Sequence, residues 1–151
     1  MRKKIYVAGP LFSIYERRFL EEIVDTLSTK LNLDSQRDFF LPHRDAGDVG
    51  IAGRNRNDVF YDDIRYLEEC QFVIALLDGI DTDSGTAVEI GYAYAKGKRI
   101  FALLTDKRRW DGSNIVNINN MIWGACQEGR RIYRSIDALV NELKAQLHNL
   151  I

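Results

Sequence analysis

One stretch of this chain decides its fold: Phe72-Val73-Ile74-Ala75-Leu76-Leu77-Asp78-Gly79-Ile80-Asp81-Thr82-Asp83-Ser84-Gly85-Thr86-Ala87-Val88-Glu89. Its first six residues are an unbroken apolar run, which is typical of a buried strand in a parallel sheet. An acidic loop follows and leads into a helical pattern that begins near Ser84. In an open α/β sheet, ligands bind at the carboxyl ends of the strands, where this loop lies. Because the loop is acidic and lacks a Gly-x-x-x-x-Gly-Lys pattern, it predicts carboxylate chemistry on a ligand and not a phosphate cradle.

Strands and helices alternate along the rest of the chain. We predict strands at residues 3–8, 39–41, 72–77, 99–104 and 131–133. We predict helices at residues 14–31, 55–69, 85–96, 119–126 and 135–149, and polar loops at 45–53 and 107–117. Five strands joined by helices predict a parallel sheet with helices on both faces and right-handed crossovers. We therefore expect one flavodoxin-like α/β domain over residues 1–151, with strand order 2-1-3-4-5.

In that strand order, the switch point of the sheet lies between the first and third strands. The loop Gly9-Pro10-Leu11-Phe12 follows the first strand, and the loop from Asp78 to Gly85 follows the third. The two loops would then face each other across one crevice. Two independent features of the sequence therefore predict the same ligand site.

The composition describes an ordinary globular protein and excludes several classes of function. The chain has 151 residues, a size that suits one domain, and 21 basic against 22 acidic residues, a net charge of −1. That balance argues against broad electrostatic binding of nucleic acid or of an anionic membrane. No apolar run approaches the roughly 18 residues of a transmembrane helix. The strand-like start at residue 3 predicts that there is no signal peptide, so we expect a cytoplasmic protein.

The cysteine and histidine residues predict neither a metal site nor a disulfide framework. Cys70 and Cys126 are too far apart for metal-ligand spacing, and both are expected to be small buried side chains. His43 has no second histidine or cysteine near it in the sequence. We predict no metal and no cofactor.

Three side chains near the crevice are candidates for its chemistry. Glu89 lies in the first turns of its helix, where unpaired amides and the helix dipole favour an ionised carboxylate, as a nucleophile requires. Asp83 is well placed to cap the same helix, and capping alone would also account for it. Tyr6 lies near the carboxyl end of the first strand, where its phenol can hydrogen-bond a carboxylate. A core tyrosine with a satisfied hydroxyl is an equally good interpretation of Tyr6.

Other polar positions have both a structural and a functional interpretation. Asp62 and Asp63 lie in the middle of a helix, and one must point inward if Phe60 and Ile64 flank the buried side. An inward aspartate needs a partner or a function, whereas two exposed helix charges need neither. Asn119 can be the N-cap of its helix. Met121 and Trp123 that follow can belong to the core.

These residues together resemble the nucleoside 2-deoxyribosyltransferase family. The resembling segments follow the order of the family from residue 5 to about 124 and comprise Ile5-Tyr6-Val7-Ala8-Gly9-Pro10, Asp63, Asp83-Ser84-Gly85-Thr86-Ala87-Val88-Glu89-Ile90-Gly91-Tyr92-Ala93 and Asn119-Asn120-Met121. The segment from Asp83 to Glu89 is the most specific of them. It is also similar to that of cytokinin-activating phosphoribohydrolases, but the Pro-Gly-Gly that precedes it in those proteins is absent here.

The resemblance implies a role for each of the candidate residues. Glu89 would be the nucleophile that attacks the anomeric carbon of a 2′-deoxyribonucleoside, and Tyr6 would hold its carboxylate. Asp63 and Asp83 would contact the nucleobase, and one of them would protonate it as it leaves. Asn119 and Met121 would come from a neighbouring subunit of a homo-oligomer and touch the sugar.

The resemblance also implies the remaining features of the site and its partners. The expected substrate-binding residues include Gly9, Phe12 and Gly85. The partners would be 2′-deoxyribonucleosides and free nucleobases, exchanged through a 2-deoxyribosyl-glutamate ester with some hydrolysis when no base is present. In some members the terminal carboxylate enters the site, which leaves the role of Ile151 open.

The chemistry requires one carboxyl group to be ionised and another to carry a proton near neutral pH. The start of its helix would keep Glu89 ionised, and a more apolar setting would keep Asp63 neutral. Two other functions fit the same residues. A 2′-deoxynucleoside 5′-monophosphate N-glycosidase would need serines for a phosphate, and the sequence offers only Ser84 beside Gly85, with Pro10-Leu11-Phe12 in the first loop. A non-catalytic nucleoside or nucleotide sensor would use the site for binding alone.

Overall fold

The computed structural model describes residues 4–148. Its strands are β1 (Ile5–Ala8), β2 (Phe39–Phe40), β3 (Phe72–Leu76), β4 (Arg99–Leu103), β5 (Trp110–Asp111), β6 (Asn114–Ile115) and β7 (Ile132–Tyr133). Its helices are α1 (Ile14–Leu31), α2 (Pro42–Asp45), α3 (Arg56–Glu69), α4 (Ser84–Ala95), α5 (Asn120–Ala125) and α6 (Ile136–His148). The predicted first residue of the first strand, the predicted last residue of the final helix and Ile151 lie outside the described residues.

The predicted fold class is confirmed. Five strands form a parallel sheet in the order β2-β1-β3-β4-β7, which is the predicted order 2-1-3-4-5 with β7 as the fifth strand. Strand β3 pairs with β4 along its whole length and with β1 over residues 72–75, so the apolar run at 72–77 is the centre of the sheet. Every residue of β3 is buried, as a strand covered on both faces requires.

Two predicted loops contain short elements that the sequence did not reveal. Residues 107–117 form a single 3-10 turn and an antiparallel hairpin of β5 and β6, in which Trp110 pairs with Ile115. The Trp110 indole donates a hydrogen bond to the Leu104 carbonyl at 2.9 Å and so ties the hairpin to the end of β4. The segment after β2 contains α2 and a 3-10 turn at Ile51–Gly53. Elements of two to four residues are too short to show a hydrophobic period.

Helices cover both faces of the sheet with two separate apolar cores. Helices α1 and α6 pack on one face, and α3, α4 and α5 pack on the other. Because side chains alternate along a strand, Ile5 and Val7 of β1 face α1, while Tyr6 and Ala8 face α4. The alternation therefore points Tyr6 toward the helix that carries Glu89.

Neither cysteine is placed for chemistry at the surface. Cys70 and Cys126 are both buried, as predicted, and form no disulfide within residues 4–148. Burial raises the pKa of the Cys126 thiol to about 12, which keeps it protonated. Within the same residues, no helix combines the length and the apolar character needed to cross a membrane.

Gly9 directly follows β1, at a position where the chain has no room for a side chain. A Cβ atom there would lie 2.7 Å from Cδ2 of Leu20 and 3.1 Å from Cβ of Leu76. We expect Gly9→Ala to lower the free energy of unfolding by about 1–3 kcal/mol, the usual cost of overpacking a core. Urea denaturation would measure the change.

Gly91→Ala on α4 is the matched control for this substitution. Apart from its chain neighbours and the nearby backbone of α4, a Cβ atom at Gly91 would meet none of the described atoms within 4 Å, and alanine is a better helix former than glycine. Its stability should therefore equal or exceed that of the parent. Equal stability of Gly9→Ala and Gly91→Ala would contradict the close packing at the end of β1.

Candidate active site

A cavity of about 320 Å³ opens where the loops after β1 and β3 meet. Both loops line it, as expected for a site at the switch point of the sheet. Six of the predicted site residues line this cavity, namely Gly9, Phe12, Asp63, Asp83, Gly85 and Glu89. The structure thus brings together residues that are up to 80 positions apart in the sequence.

Tyr6 and Glu89 are joined by a short hydrogen bond at this cavity. The Tyr6 hydroxyl donates to Oε1 of Glu89 at 2.6 Å. The Tyr6 side chain is fully buried, and its ring packs on Phe40, which in turn stacks on Tyr66 at a centroid distance of 4.0 Å. Burial, with the nearby Glu89 charge, raises the pKa of Tyr6 well above its usual value. Tyr6 is therefore a fixed donor that orients one oxygen of Glu89.

Asp83 is the N-cap of α4. Its Oδ2 accepts hydrogen bonds from the backbone amide of Thr86 at 2.9 Å and from the Thr86 hydroxyl at 3.1 Å. The structural interpretation of Asp83 is therefore confirmed. The same carboxylate lines the cavity, so capping leaves it within reach of a ligand.

The structure distinguishes Asp62 from Asp63, which the sequence could not do. Asp62 forms ion pairs with Arg54 at 2.5 Å and with Arg65 at 2.6 Å. Asp63 lines the cavity instead, and its Oδ1 is buried with no hydrogen-bond partner among residues 4–148. Burial raises the pKa of Asp63 to about 6, an effect that the Tyr6 hydroxyl partly offsets.

The predicted protonation of Glu89 is wrong for the unliganded site. Burial, together with the charges of Asp63 and Asp83, raises the pKa of Glu89 to about 8, despite the hydrogen bond from Tyr6. Glu89 is the sixth residue of α4, beyond the first turn, and the Asp83 side chain already accepts the Thr86 amide of that turn. Because the helix dipole acts mainly within the first turn, the loss of water dominates.

Glu89 and Asp63 therefore titrate as a coupled pair. With pKa values of about 8 and about 6, the pair holds one proton between those two pH values. Burial raises the pKa of both groups, so Glu89 as well as Asp63 competes for that proton. The site nevertheless contains, near neutral pH, one carboxylate and one acidic proton within the same cavity. That is the combination that displacement at a glycosidic carbon requires.

Asn119 and Met121 do not line this cavity in the single chain. They line a second cavity, of about 530 Å³, between α4 and α5. The Asn119 side chain caps α5 by accepting from the Met121 amide at 2.9 Å, and Met121 is 81% exposed. Their expected place in the site of a neighbouring subunit stays a prediction.

Three polar residues of the cavity wall were not predicted from the sequence. Nε of Arg17 donates to the Leu11 carbonyl at 2.6 Å, and its guanidinium pairs with Asp48 at 3.3 Å. His43 lies directly after Pro42, which follows the second strand. The position of His43 at the carboxyl end of a strand was a usable signal, because those ends share one edge of the sheet. Arg17 and Asp48 gave no comparable signal.

Comparison with known proteins assigns the chain to a family. Residues 5–150 match the sequence model of the family described as nucleoside 2-deoxyribosyltransferase. The chain belongs to this family.

Two relatives match this chain over nearly their whole length. A protein of Ureaplasma parvum serovar 3 is 31% identical over 155 residues, which cover 93% of this chain and 96% of the relative. The crystal structure of a conserved protein from Enterococcus faecalis V583 is 29% identical, with a TM-score of 0.81 over 97% of this chain and 99% of that chain.

Two more distant structures have the same fold and different activities in their descriptions. The 2-deoxyribosyltransferase of Bacillus psychrosaccharolyticus is 22% identical, with a TM-score of 0.69 over 91% of this chain and 90% of that chain. The CMP N-glycosidase of Clostridium botulinum is 19% identical, with a TM-score of 0.51 over 95% of this chain and 99% of that chain. At these identities the two structures show a common fold alone.

The raised pKa of Glu89 predicts how stability depends on pH in this member of the deoxyribosyltransferase family. The pKa is about 8 in the folded state and about 4.3 in the unfolded chain, so the folded state binds more protons between those values. The stability of the parent should therefore fall as the pH rises through this window. In Glu89→Gln, which cannot titrate, we expect a smaller loss of Tm between pH 5 and pH 9.

Glu22→Gln, an exposed substitution on α1, is the control for loss of one negative charge. It should follow the pH dependence of the parent. If Glu89→Gln also follows the parent, Glu89 is not held out of water as the structure indicates.

Proposed function

We propose that this chain is a nucleoside 2-deoxyribosyltransferase, which moves 2-deoxyribose from one nucleobase to another. The observation that carries the proposal is the 2.6 Å hydrogen bond from Tyr6 to Glu89, at a cavity that Asp63 and Asp83 also line. Membership of the family supports it. The shared fold with the Bacillus psychrosaccharolyticus 2-deoxyribosyltransferase agrees with it.

In the first step, a carboxylate oxygen of Glu89 attacks C1′ of a 2′-deoxyribonucleoside. A C1′–O bond forms, the C1′–N bond breaks, and its electron pair stays on the base nitrogen. The proton of the Glu89–Asp63 pair must be on Asp63 at that moment, and it passes to the departing base. The carboxylate also stabilises the positive charge that develops on the sugar.

In the second step, a nitrogen of another base attacks C1′ and breaks the bond to Glu89. The Glu89 carboxylate is regenerated, and the proton of the incoming base returns to Asp63. Two displacements retain the configuration at C1′. If water attacks in place of a base, the outcome is hydrolysis, which we propose as the slower side reaction.

Asp63 is a better proton donor than Asp83 on the geometry of the two carboxyl groups. Asp83 accepts two hydrogen bonds from Thr86 in the helix cap, and these favour its ionised form over a form that could donate a proton. Asp63 has a buried oxygen without a partner in the described chain, and burial raises its pKa to about 6. We therefore assign the proton transfer to Asp63 and a base contact to Asp83.

We propose that the protein acts as a homo-oligomer in cytoplasmic nucleoside salvage, with residues 1–151 as one domain. Asn119 and Met121 of one subunit would complete the cavity of the next. Exposed apolar side chains support this arrangement, since Tyr94 and Met121, which line the second cavity, are 63% and 81% exposed. Contiguous apolar surface of this kind commonly marks an interface.

One observation favours the second candidate, a 2′-deoxynucleoside 5′-monophosphate N-glycosidase. Arg17 brings a cation to the cavity wall, and a guanidinium is a good phosphate ligand. The Arg17 guanidinium is, however, already paired with Asp48, whose negative charge would repel a phosphate. We therefore rank the transferase first.

A mixture of deoxyadenosine and free cytosine tests the transferase directly. We expect deoxycytidine and adenine to form, with a 2-deoxyribosyl adduct on the peptide that contains Glu89 after rapid quenching. Glu89→Ala should abolish exchange and adduct while it keeps the folded circular dichroism spectrum.

The same assay with deoxynucleoside 5′-monophosphates distinguishes the two candidates. Hydrolysis of a monophosphate without transfer to cytosine would support the glycosidase and contradict our proposal. Binding of deoxynucleosides without turnover would indicate a sensor.

The coupled titration of Glu89 and Asp63 predicts a bell-shaped pH profile for kcat/KM. Activity needs the state with one proton, so it should fall below about pH 6, where both groups bind protons, and above about pH 8, where neither does. Asp63→Asn should lower kcat/KM by about 10²–10⁴ and remove the alkaline limb. An unchanged alkaline limb in that variant would contradict the assignment of Asp63 as the proton donor.

A further inference from the structure

His43 lines the cavity that also contains Glu89, and one nitrogen of its ring is buried without a partner among the described residues. The residue lies in α2, and its side chain is only 6% exposed. Nε2 of its ring lies 3.0 Å from Oε1 of Glu21 on α1. Nδ1 is buried and has no hydrogen-bond partner in the part of the chain that the structure describes.

The Glu21 carboxylate determines which ring nitrogen carries the proton. A carboxylate only accepts hydrogen bonds, so Nε2 must be the donor of the 3.0 Å contact. A neutral imidazole has one N–H, which leaves a lone pair on Nδ1. A buried acceptor without a hydrogen-bond partner costs free energy, and a ligand with a suitably placed N–H would remove that cost.

The base of a bound nucleoside is the part that can reach this wall of the cavity. The sugar must place C1′ beside Glu89, on α4, before the glycosidic bond can break. The wall that α2 contributes, with His43, lines the same cavity as Asp63 and Asp83, to which the base contacts are assigned, so the base can face His43.

We propose that Nδ1 of His43 accepts a hydrogen bond from the exocyclic amino group of the nucleobase. The proposal rests on the transferase function and adds its preferred substrate class, the bases with an amino group at the 6-position of a purine or the 4-position of a pyrimidine. Adenine and cytosine have an N–H donor there. Hypoxanthine and uracil have a carbonyl oxygen, which would face the lone pair of Nδ1.

Matched deoxynucleosides that differ at this one group test the proposal. We compare kcat/KM for deoxyadenosine with deoxyinosine, and for deoxycytidine with deoxyuridine, with the same acceptor base throughout. A site that hydrogen-bonds a substrate group rejects an analogue without that donor far better than an apolar pocket does. We expect the amino substrates to be preferred by about tenfold to a hundredfold.

His43→Phe keeps a ring of similar size and removes both nitrogens. It should reduce both preferences to less than about threefold, through loss of activity on the amino substrates alone. An equal loss on all four nucleosides would assign Nδ1 to the sugar and overturn the proposal. A parent enzyme that prefers the oxo substrates would overturn it as well.

Glu21→Lys keeps His43 and tests whether the position of the proton on its ring determines the base preference. An ammonium group only donates, so Nε2 would have to accept and the ring proton would move to Nδ1. The preference should then shift toward deoxyinosine and deoxyuridine. Glu22→Lys, the same charge change at an exposed position next along α1, should leave the preference of the parent unchanged. An unchanged preference in Glu21→Lys would contradict the proposed hydrogen bond.

Binding of free bases separates this proposal from the transferase function. We would titrate adenine and hypoxanthine into the parent and into His43→Phe by calorimetry. Absence of turnover with every deoxynucleoside would refute the transferase function. Equal affinity of the parent for adenine and hypoxanthine would refute the role of His43, whatever the turnover.

Discussion

The hydrogen bond between Tyr6 and Glu89 is the interaction on which the rest of the site depends, and the core packing sets its geometry. Tyr6 faces α4 because of its place in the alternation of β1, and a slip of one residue would turn it toward α1. Glu89 lies one turn after buried Thr86 and beside Ile90 on α4, on the side that packs toward the sheet. The same alternation and helical period that bury the apolar residues therefore bring the phenol and the carboxyl group together.

The exclusion of water gives this pair its chemical character. A carboxyl group in water would be fully ionised at neutral pH, whereas burial raises the pKa of Glu89 to about 8 and that of Asp63 to about 6. Arg54 and Arg65 both form ion pairs with Asp62. Little positive charge is therefore left to lower the pKa of Asp63 and Glu89. A single proton is thereby retained in the cavity. When that proton is on Asp63, the site holds a nucleophile and an acid together.

The parts of this structure that the sequence predicted follow from local periodicity. The apolar run at residues 72–77, the five strands of the sheet and the place of Tyr6 near the end of the first strand can be read from residue patterns and loop positions along the chain. The order of protonation of Glu89 and Asp63 cannot, because it depends on how many neighbours exclude water from each group. The hairpin around Trp110 is too short to be periodic. The proposed role of His43 depends on its contact with Glu21, which lies 22 positions away on another helix and so could not be predicted from the sequence.

The choice between transfer and hydrolysis depends on the mouth of the cavity, not on Glu89. Both reactions share the proposed sugar ester and differ in whether a base or water attacks it. In the single chain, Phe12 at the cavity wall is 76% exposed, so the mouth of the cavity is open to water although Glu89 inside it is buried. Efficient transfer requires that something cover this opening while a base is bound. If the proposed homo-oligomer brings exposed Met121 of a neighbouring subunit to this site, that side chain would cover the opening. The ratio of transfer to hydrolysis would then depend on oligomerisation, because separated subunits would leave the sugar ester open to attack by water.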